Sequence, residues 1–345
     1  MWQSGHVPSV FRRALSAASN APLISGSAPS FGIAFDIDGV LIRGGHALPK
    51  AERVLKSLRS NNVAHIFLTN GGGCMEDKKA KNLSTILDVP IDPEHMILSH
   101  TPMREIAKTY GDKRVLIMGS HDVWRVAKCY GFNKIVSVKD LLHHHPMQYP
   151  FMHLEQRAAP HYNEPIEAII VMHDPIEWAP EIQVAVDVLI GGNPPGSGCP
   201  SGKQTPLFLS NDDFVFSGAY PFPRFAQGAF MRCLKLLYED YTGRRLKTTH
   251  YGKPYKVTYD YAKRLLNTFS KKPEPLRRMY GIGDNPLADI QGANNAGDDW
   301  TSVLVRTGIY DGSKDPEHKP DVIVDGVYDA IKHIYKCEGI DDSAL

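Results

Sequence analysis

Apolar residues recur along this chain in two rhythms. Short continuous runs, strand-sized, end in acids, glycines or hydroxyls: Gly32–Asp36, Ala64–Leu68 before Thr69, Arg278–Gly283, Ser302–Val305 and Val322–Val324. Between them the spacing is helical, with Val54, Leu55 and Leu58 in residues 49–58, Ala80, Leu83, Ile86 and Leu87 further on, and a pattern over 287–295. Strand and helix in alternation predict an α/β fold, a doubly wound parallel sheet with helices on both faces. In such sheets the chemistry lies at the carboxyl ends of the strands.

Residues 112–247 carry an alternation of their own. Val115–Met118, Ile135–Val138, Ala168–Met172 and Val186–Ile190 read as strands, and 121–130, 177–185 and 225–240 as helices. The segment reads as a second α/β module inserted into the first, so the expected core is 31–111 with 248–345. Two long polar connections, His143–Pro165 and Gly191–Pro206, read as mobile surface.

The first thirty residues differ from the rest. They contain no Asp or Glu, are rich in serine and carry Arg12 and Arg13 beside the apolar Val10, Phe11, Ala14 and Leu15. That is the composition of an organelle transit peptide, and mitochondrial (matrix) location is expected, with a cytoplasmic protein bearing a disordered tail as the alternative. Elsewhere composition changes little. Lys plus Arg number 39 against 38 Asp plus Glu, so bulk charge gives no reason to expect nucleic acid. Five scattered cysteines without a Cys-x-x-Cys argue against a disulfide framework or structural zinc. No run approaches the ~18–20 apolar residues of a membrane span.

Four places concentrate chemistry. Phe35-Asp36-Ile37-Asp38-Gly39 sets two carboxylates at i and i+2 beyond a strand, where one can serve as nucleophile or metal ligand and the other can move a proton. The same residues also suit a plain strand-end turn. Leu68-Thr69-Asn70-Gly71-Gly72-Gly73 offers a hydroxyl, an amide and bare N–H groups to phosphate oxygens. Tyr251-Gly252-Lys253-Pro254 holds a lysine between conformationally special neighbours. Gly283-Asp284-Asn285-Pro286-Leu287-Ala288-Asp289 places acids where Mg²⁺ could bind, though Asp284 would equally cap a helix.

Taken together and in this order, these motifs resemble the haloacid-dehalogenase (HAD) superfamily. The insertion between the Thr-Asn and Lys motifs is similar to the α/β cap of subclass IIA, whose members include 4-nitrophenyl phosphatases. The Thr-Asn-Gly-Gly-Gly loop and Phe222–Gly228 look closest to the cat-eye-syndrome-critical-region-type branch. The resemblance implies that Asp36 is the nucleophile and Asp38 the general acid/base. It implies that Thr69, Lys253, Asn70 and Gly71 meet the phosphoryl group, and that Asp36, Asp284 and the Asp38 carbonyl bind Mg²⁺, with Asp289 behind them. The implied reaction is hydrolysis of a small phosphorylated metabolite through an aspartyl-phosphate. The alternatives are a HAD-fold binding or assembly protein with little turnover, and a phosphatase for a phospholipid-precursor head group. A homodimer through the cap is a further expectation.

Within the insertion, Asp212, Asp213 and Arg224 are expected nearer the catalytic face than most of their neighbours, with Arg224 reading a second anionic group on the substrate. Gly198–Lys203 fails the P-loop pattern at Ser197 and Gln204. His143-His144-His145 reads as solvated loop. The leader makes a direct prediction: the mature amino terminus, sequenced from cells, should show the leader removed, and a full-length cytosolic chain starting at Met1 or Trp2 would refute import.

Overall fold

The computed structural model describes residues 29–199, 202–216, 220, 222–343 and 345. The leader expected over residues 1–30 therefore lies almost wholly outside the described residues. A six-stranded parallel sheet runs in the order Val322–Val324, Trp300–Val305, Arg278–Gly283, Phe31–Phe35, Ala64–Leu68, Met96–Ile97. Phe31–Phe35 and Ala64–Leu68 are buried at every position, as strands covered on both faces must be. Alternate side chains serve opposite layers. Ile33 and Phe35 pack with Val54, Leu55 and Leu58 of helix Ala51–Ser60 and Ile331 and Ile334 of helix Val327–Glu338. Ala34 and Ile66 pack with Ala262 and Leu266 of helix Lys256–Phe269 and with Ala293.

The strand order reverses between Phe31–Phe35 and Arg278–Gly283, which opens a crevice at their carboxyl ends. Asp36, Asp284 and Thr69 each follow directly on one of three neighbouring strands.

A second parallel sheet has the order Thr249–His250, Leu207–Leu209, Ala168–Val171, Arg114–Met118, Lys134–Val136. It takes in Thr249–His250, two residues past the boundary expected at 247; a two-residue polar strand leaves no hydrophobic signal. Val186–Ile190 is not a strand but the end of helix Trp178–Ile190. This helix buries Val184, Ala185, Val186, Val188 and Leu189, and an almost all-round apolar helix has the same local composition as a core strand. The strand in question is Leu207–Leu209. The connection 143–165 is partly packed, with Met152 and Leu154 against the core of this module and Ala159 buried in it. His143 lies in the last turn of helix Val138–His144, with Nδ1 2.8 Å from the Glu155 carbonyl. Among the described residues no helix is long and apolar enough to cross a membrane.

Two histidines are locked inside, His65 in strand Ala64–Leu68 and His100, and burial pulls both imidazoles down to about 4 from 6.5. Below pH 6.5 the unfolded chain takes up protons that the fold refuses. This stability is complete above the unfolded value and is lost as pH falls toward 4, by about 3 kcal/mol per histidine. The melting temperature should therefore drop steeply across that window, and His65→Gln should make the drop shallower.

Candidate active site

Lys253 is the centre of the crevice. Its side chain is buried, with Nζ 2.5 Å from Asp36 Oδ1 and 2.6 Å from Asp289 Oδ1. Asp284 completes a group in which Asp36, Asp284 and Asp289 each place a carboxylate oxygen within 4.8 Å of the others. Each acid is fixed by its backbone surroundings. The Asp36 N–H donates to the Ile282 carbonyl at 2.8 Å, Asp284 Oδ2 accepts from the Ile309 N–H at 2.6 Å, and Asp289 Oδ2 accepts from the Asn285 N–H at 3.0 Å. Gly39 has φ +88°, and a Cβ there would lie 2.4 Å from Asp284 Oδ2, so the turn after the two aspartates needs glycine on both counts.

Burial pushes the Asp36 carboxyl well above the usual carboxylate range, against the pull of the Lys253 ammonium. Burial also carries Asp284 to about 7, with Asp289 adding to it. Lys253 is itself held above the ordinary lysine range, because Asp289 and Asp36 outweigh the burial that opposes its charge. Three buried carboxylates thus share one buried ammonium, and the site is short of positive charge. A hard divalent cation with oxygen ligands fits that donor set.

The Thr69–Gly73 loop faces this group. Thr69 is buried, and its Oγ1 accepts from the Gly71 N–H at 3.0 Å. Asn70 works as a clamp: Oδ1 accepts from the Lys253 N–H at 2.7 Å, while Nδ2 donates to the Lys253 carbonyl at 2.9 Å and to Asp213 Oδ1 at 3.2 Å. The amide expected to meet phosphate thus has both ends engaged with protein.

Asp38 stands apart from the buried cluster. Its side chain is 65% exposed, with Lys79 Nζ 3.8 Å away. The geometry makes it an accessible acid beside the buried one. Lys79 escaped the sequence reading, since nothing distinguishes it from other helical lysines. The helix that bears it, Glu76–Leu87, is anchored at its first residue. Glu76 Oε1 accepts from Tyr130 at 2.6 Å, Thr101 at 2.8 Å and Arg104 at 2.9 Å.

The inserted module reaches the site through residues only partly foreseen. Asp213 meets Asn70, and Asp212 accepts from the Tyr255 hydroxyl at 2.8 Å. Arg224 instead lies on an exposed hairpin, Val215–Phe216 with Arg224–Phe225. Its Nε donates to the Pro223 carbonyl at 2.9 Å and its guanidinium sits 4.6 Å from the centre of the Tyr220 ring. Its described contacts do not include Asp36, Asp38, Thr69 or Lys253. Two histidines went unnoticed. A Cβ on Gly73 would lie 2.8 Å from the His173 ring and 3.1 Å from that of His121. The Asp122 N–H donates to the Gly73 carbonyl at 3.0 Å. Gly73, at φ +76°, is thus required where these two imidazoles pack on it.

Comparison with known proteins decides the family. The description "haloacid dehalogenase-like hydrolase" matches residues 33–133, and a second HAD-hydrolase-like description matches 250–330. A mitochondrial hydrolase of Saccharomyces cerevisiae is 35% identical over 335 residues, covering 86% of this chain and 93% of that protein. This chain belongs to the haloacid dehalogenase-like hydrolases. A cardiolipin synthase (CMP-forming)/mitochondrial hydrolase fusion protein of Schizosaccharomyces pombe is 37% identical over 313 residues, covering 87% of this chain. The chain spans 52% of that fusion. Among solved structures, a p-nitrophenyl phosphatase from Archaeoglobus fulgidus superposes with a TM-score of 0.64 at 18% identity, covering 88% of this chain and 98% of the other. That likeness is one of fold, a HAD core with its cap.

The Asn70 clamp yields a prediction for this hydrolase. Asn70→Ala removes both hydrogen bonds to the Lys253 backbone and should lower stability by about 1–3 kcal/mol in denaturant titration. It should also lower kcat at least about tenfold, because Lys253 loses its fixed position.

Proposed function

We propose that this hydrolase is a Mg²⁺-dependent phosphatase acting on a small phosphate monoester through an aspartyl-phosphate at Asp36. The observation that carries the reading is the buried Asp36 at the end of a central strand, joined to Lys253 and set among Asp284 and Asp289. Asp36 and Asp284, with the Asp38 carbonyl, would hold the metal, and the closeness of Asp289 adds a third carboxylate beside them. When bound, Mg²⁺ supplies positive charge that the three carboxylates lack and that offsets charge on the phosphoryl oxygens.

The residues divide the remaining work. A carboxylate oxygen of Asp36 attacks phosphorus, forming the O–P bond as the bond to the leaving oxygen breaks. Asp38, exposed beside the cluster, gives that oxygen a proton. In the second half Asp38 takes a proton from water as the water oxygen attacks phosphorus, which releases inorganic phosphate and restores Asp36. Lys253 and the Thr69 hydroxyl, which the Gly71 N–H holds in place, meet the phosphoryl oxygens. Asn70 acts by holding Lys253 in place. The inserted α/β module, residues 112–247 with the following strand, serves as the cap that closes over the crevice.

The mitochondrial names of the two fungal relatives and the acid-free leader support action in the mitochondrion. The fusion with a cardiolipin synthase favours, as a second reading, a phosphate on a phospholipid-precursor head group as substrate.

Asp36→Asn should abolish turnover of every substrate. Asp38→Asn should slow alkyl phosphates by about 10²–10⁴. With a good-leaving-group aryl phosphate it should instead accumulate protein-bound phosphate, which rapid quench detects. Equal slowing of both substrate types without a trapped intermediate would overturn the acid/base role. Chelation with EDTA should remove activity and added Mg²⁺ should restore it.

A further inference from the structure

The cap carries a hairpin that belongs to neither large sheet. Val215–Phe216 pairs antiparallel with Arg224–Phe225, and all four residues are exposed. Phe214, Tyr220 and Phe222 around it are exposed as well, and Phe222 and Phe225 each keep 65% of their surface open. The rings gather on one another, Phe214 and Phe225 with centres 5.6 Å apart, Tyr220 and Phe222 6.0 Å apart. A single exposed aromatic needs no explanation, but a contiguous group of this kind marks an interaction surface.

The surface continues onto helix Gln227–Thr242. The Arg232 guanidinium lies 4.1 Å from the centre of the Phe214 ring. Lys235 and Leu236 follow Arg232 by three and four residues, on the same side of the helix, and both are exposed. From Phe214 to Tyr238 the chain has no Asp or Glu, while it carries Arg224, Arg232 and Lys235. Arg224 and Arg232 both rest on aromatic rings, those of Tyr220 and Phe214. The acids that precede the segment face the core instead: Asp212 accepts from Tyr255 and Asp213 from Asn70. On the other side, exposed Glu177 adjoins Trp178, whose ring is 6.3 Å from that of Phe225, so the acid-free zone ends there.

This charge pattern selects among occupants. A two-fold contact with a second copy would bring the same cations toward one another, with no acid in the segment to pair them. An anionic bilayer answers both halves of the pattern. Its headgroup–acyl boundary takes aromatic rings, and its phosphates take cations whose stems lie along the apolar surface. We propose that this aromatic and cationic face of the cap, the hairpin with the Arg232–Leu236 turn, docks the hydrolase on an anionic phospholipid surface. The contact is peripheral, and it does not depend on which phosphate ester is cleaved. Phe214 directly follows Asp213, so the docking face adjoins the crevice.

The test is co-sedimentation of the full chain with vesicles of phosphatidylcholine and phosphatidylglycerol, two to one, against vesicles of phosphatidylcholine alone. The anionic vesicles should bind at least about tenfold more protein, since each cation near an anionic surface contributes roughly fivefold. Arg232→Glu combined with Lys235→Glu should weaken that binding by at least about tenfold. Phe222→Ser combined with Phe225→Ser should weaken it by a similar factor, and both variants should keep the wild-type melting temperature because the side chains are exposed. The Arg12 and Arg13 leader is itself cationic, so a probe on the hairpin separates the two sources. The emission added by Phe222→Trp should be quenched by lipids brominated on their acyl chains. Equal binding to the two vesicles, undiminished binding in either variant, an unquenched indole in Phe222→Trp, or no binding of the anionic vesicles would overturn the proposal. In the last case, a dimer lost in the Phe222→Ser and Phe225→Ser variant would assign the face to a second copy instead.

Discussion

Everything at the catalytic end of this molecule depends on how one ammonium is shared. Lys253 stands between Asp36 and Asp289 with Asp284 close by, and none of the four is open to water. Removing one member of a buried pair leaves a charge uncompensated, at ~3–5 kcal/mol. The fold therefore holds Lys253 at both of its ends: the carboxylates take the nitrogen, and Asn70 takes the backbone. The sheet supplies Asp36 and Asp284 from the ends of neighbouring strands, and Asp289 comes from the helical turn Pro286–Ile290 that follows. The surplus of negative charge is what makes the crevice receptive to a cation and to an electrophile at once.

Much of this could be read from residues alone, for a physical reason. Asp36, Thr69 and Asp284 sit at the ends of apolar runs, and a fully buried parallel strand has a composition that no loop imitates. Lys253 has no such run before it, and only its place between Gly252 and Pro254 in an ordered set of motifs marked it. Where one local composition fits two structures, reading failed. Val186–Ile190 is apolar enough for a strand and is helical because the pattern from Trp178 continues through it. The short pairing Thr249–His250 is made by backbone alone. Partners created by tertiary approach left no trace: Lys79 beside Asp38, and His121 and His173 on Gly73.

The glycine run illustrates the last point. In the sequence it suggested bare backbone offered to a ligand. In the fold, side chains could not be added there without displacing neighbours: Ser99 and His100 stand against Gly72, and the cap histidines against Gly73. Absence of a side chain at one position is thus the imprint of side chains arriving from another part of the chain, and the character of the site's outer wall is set by the cap.

The strand Thr249–His250 belongs to the cap sheet, yet Lys253 follows it after only Tyr251 and Gly252. Gly252 itself is hemmed in, since a Cβ there would lie 2.4 Å from the Ser210 carbonyl oxygen and 2.9 Å from Asn70 Oδ1. The cap is therefore not a detachable module hung on a slack tether. Grafting in a foreign cap would redraw the path by which the lysine enters the core, so the cap sheet and the charge beneath it constrain each other. Substitutions in the cap's interior and rim, by contrast, leave that junction alone.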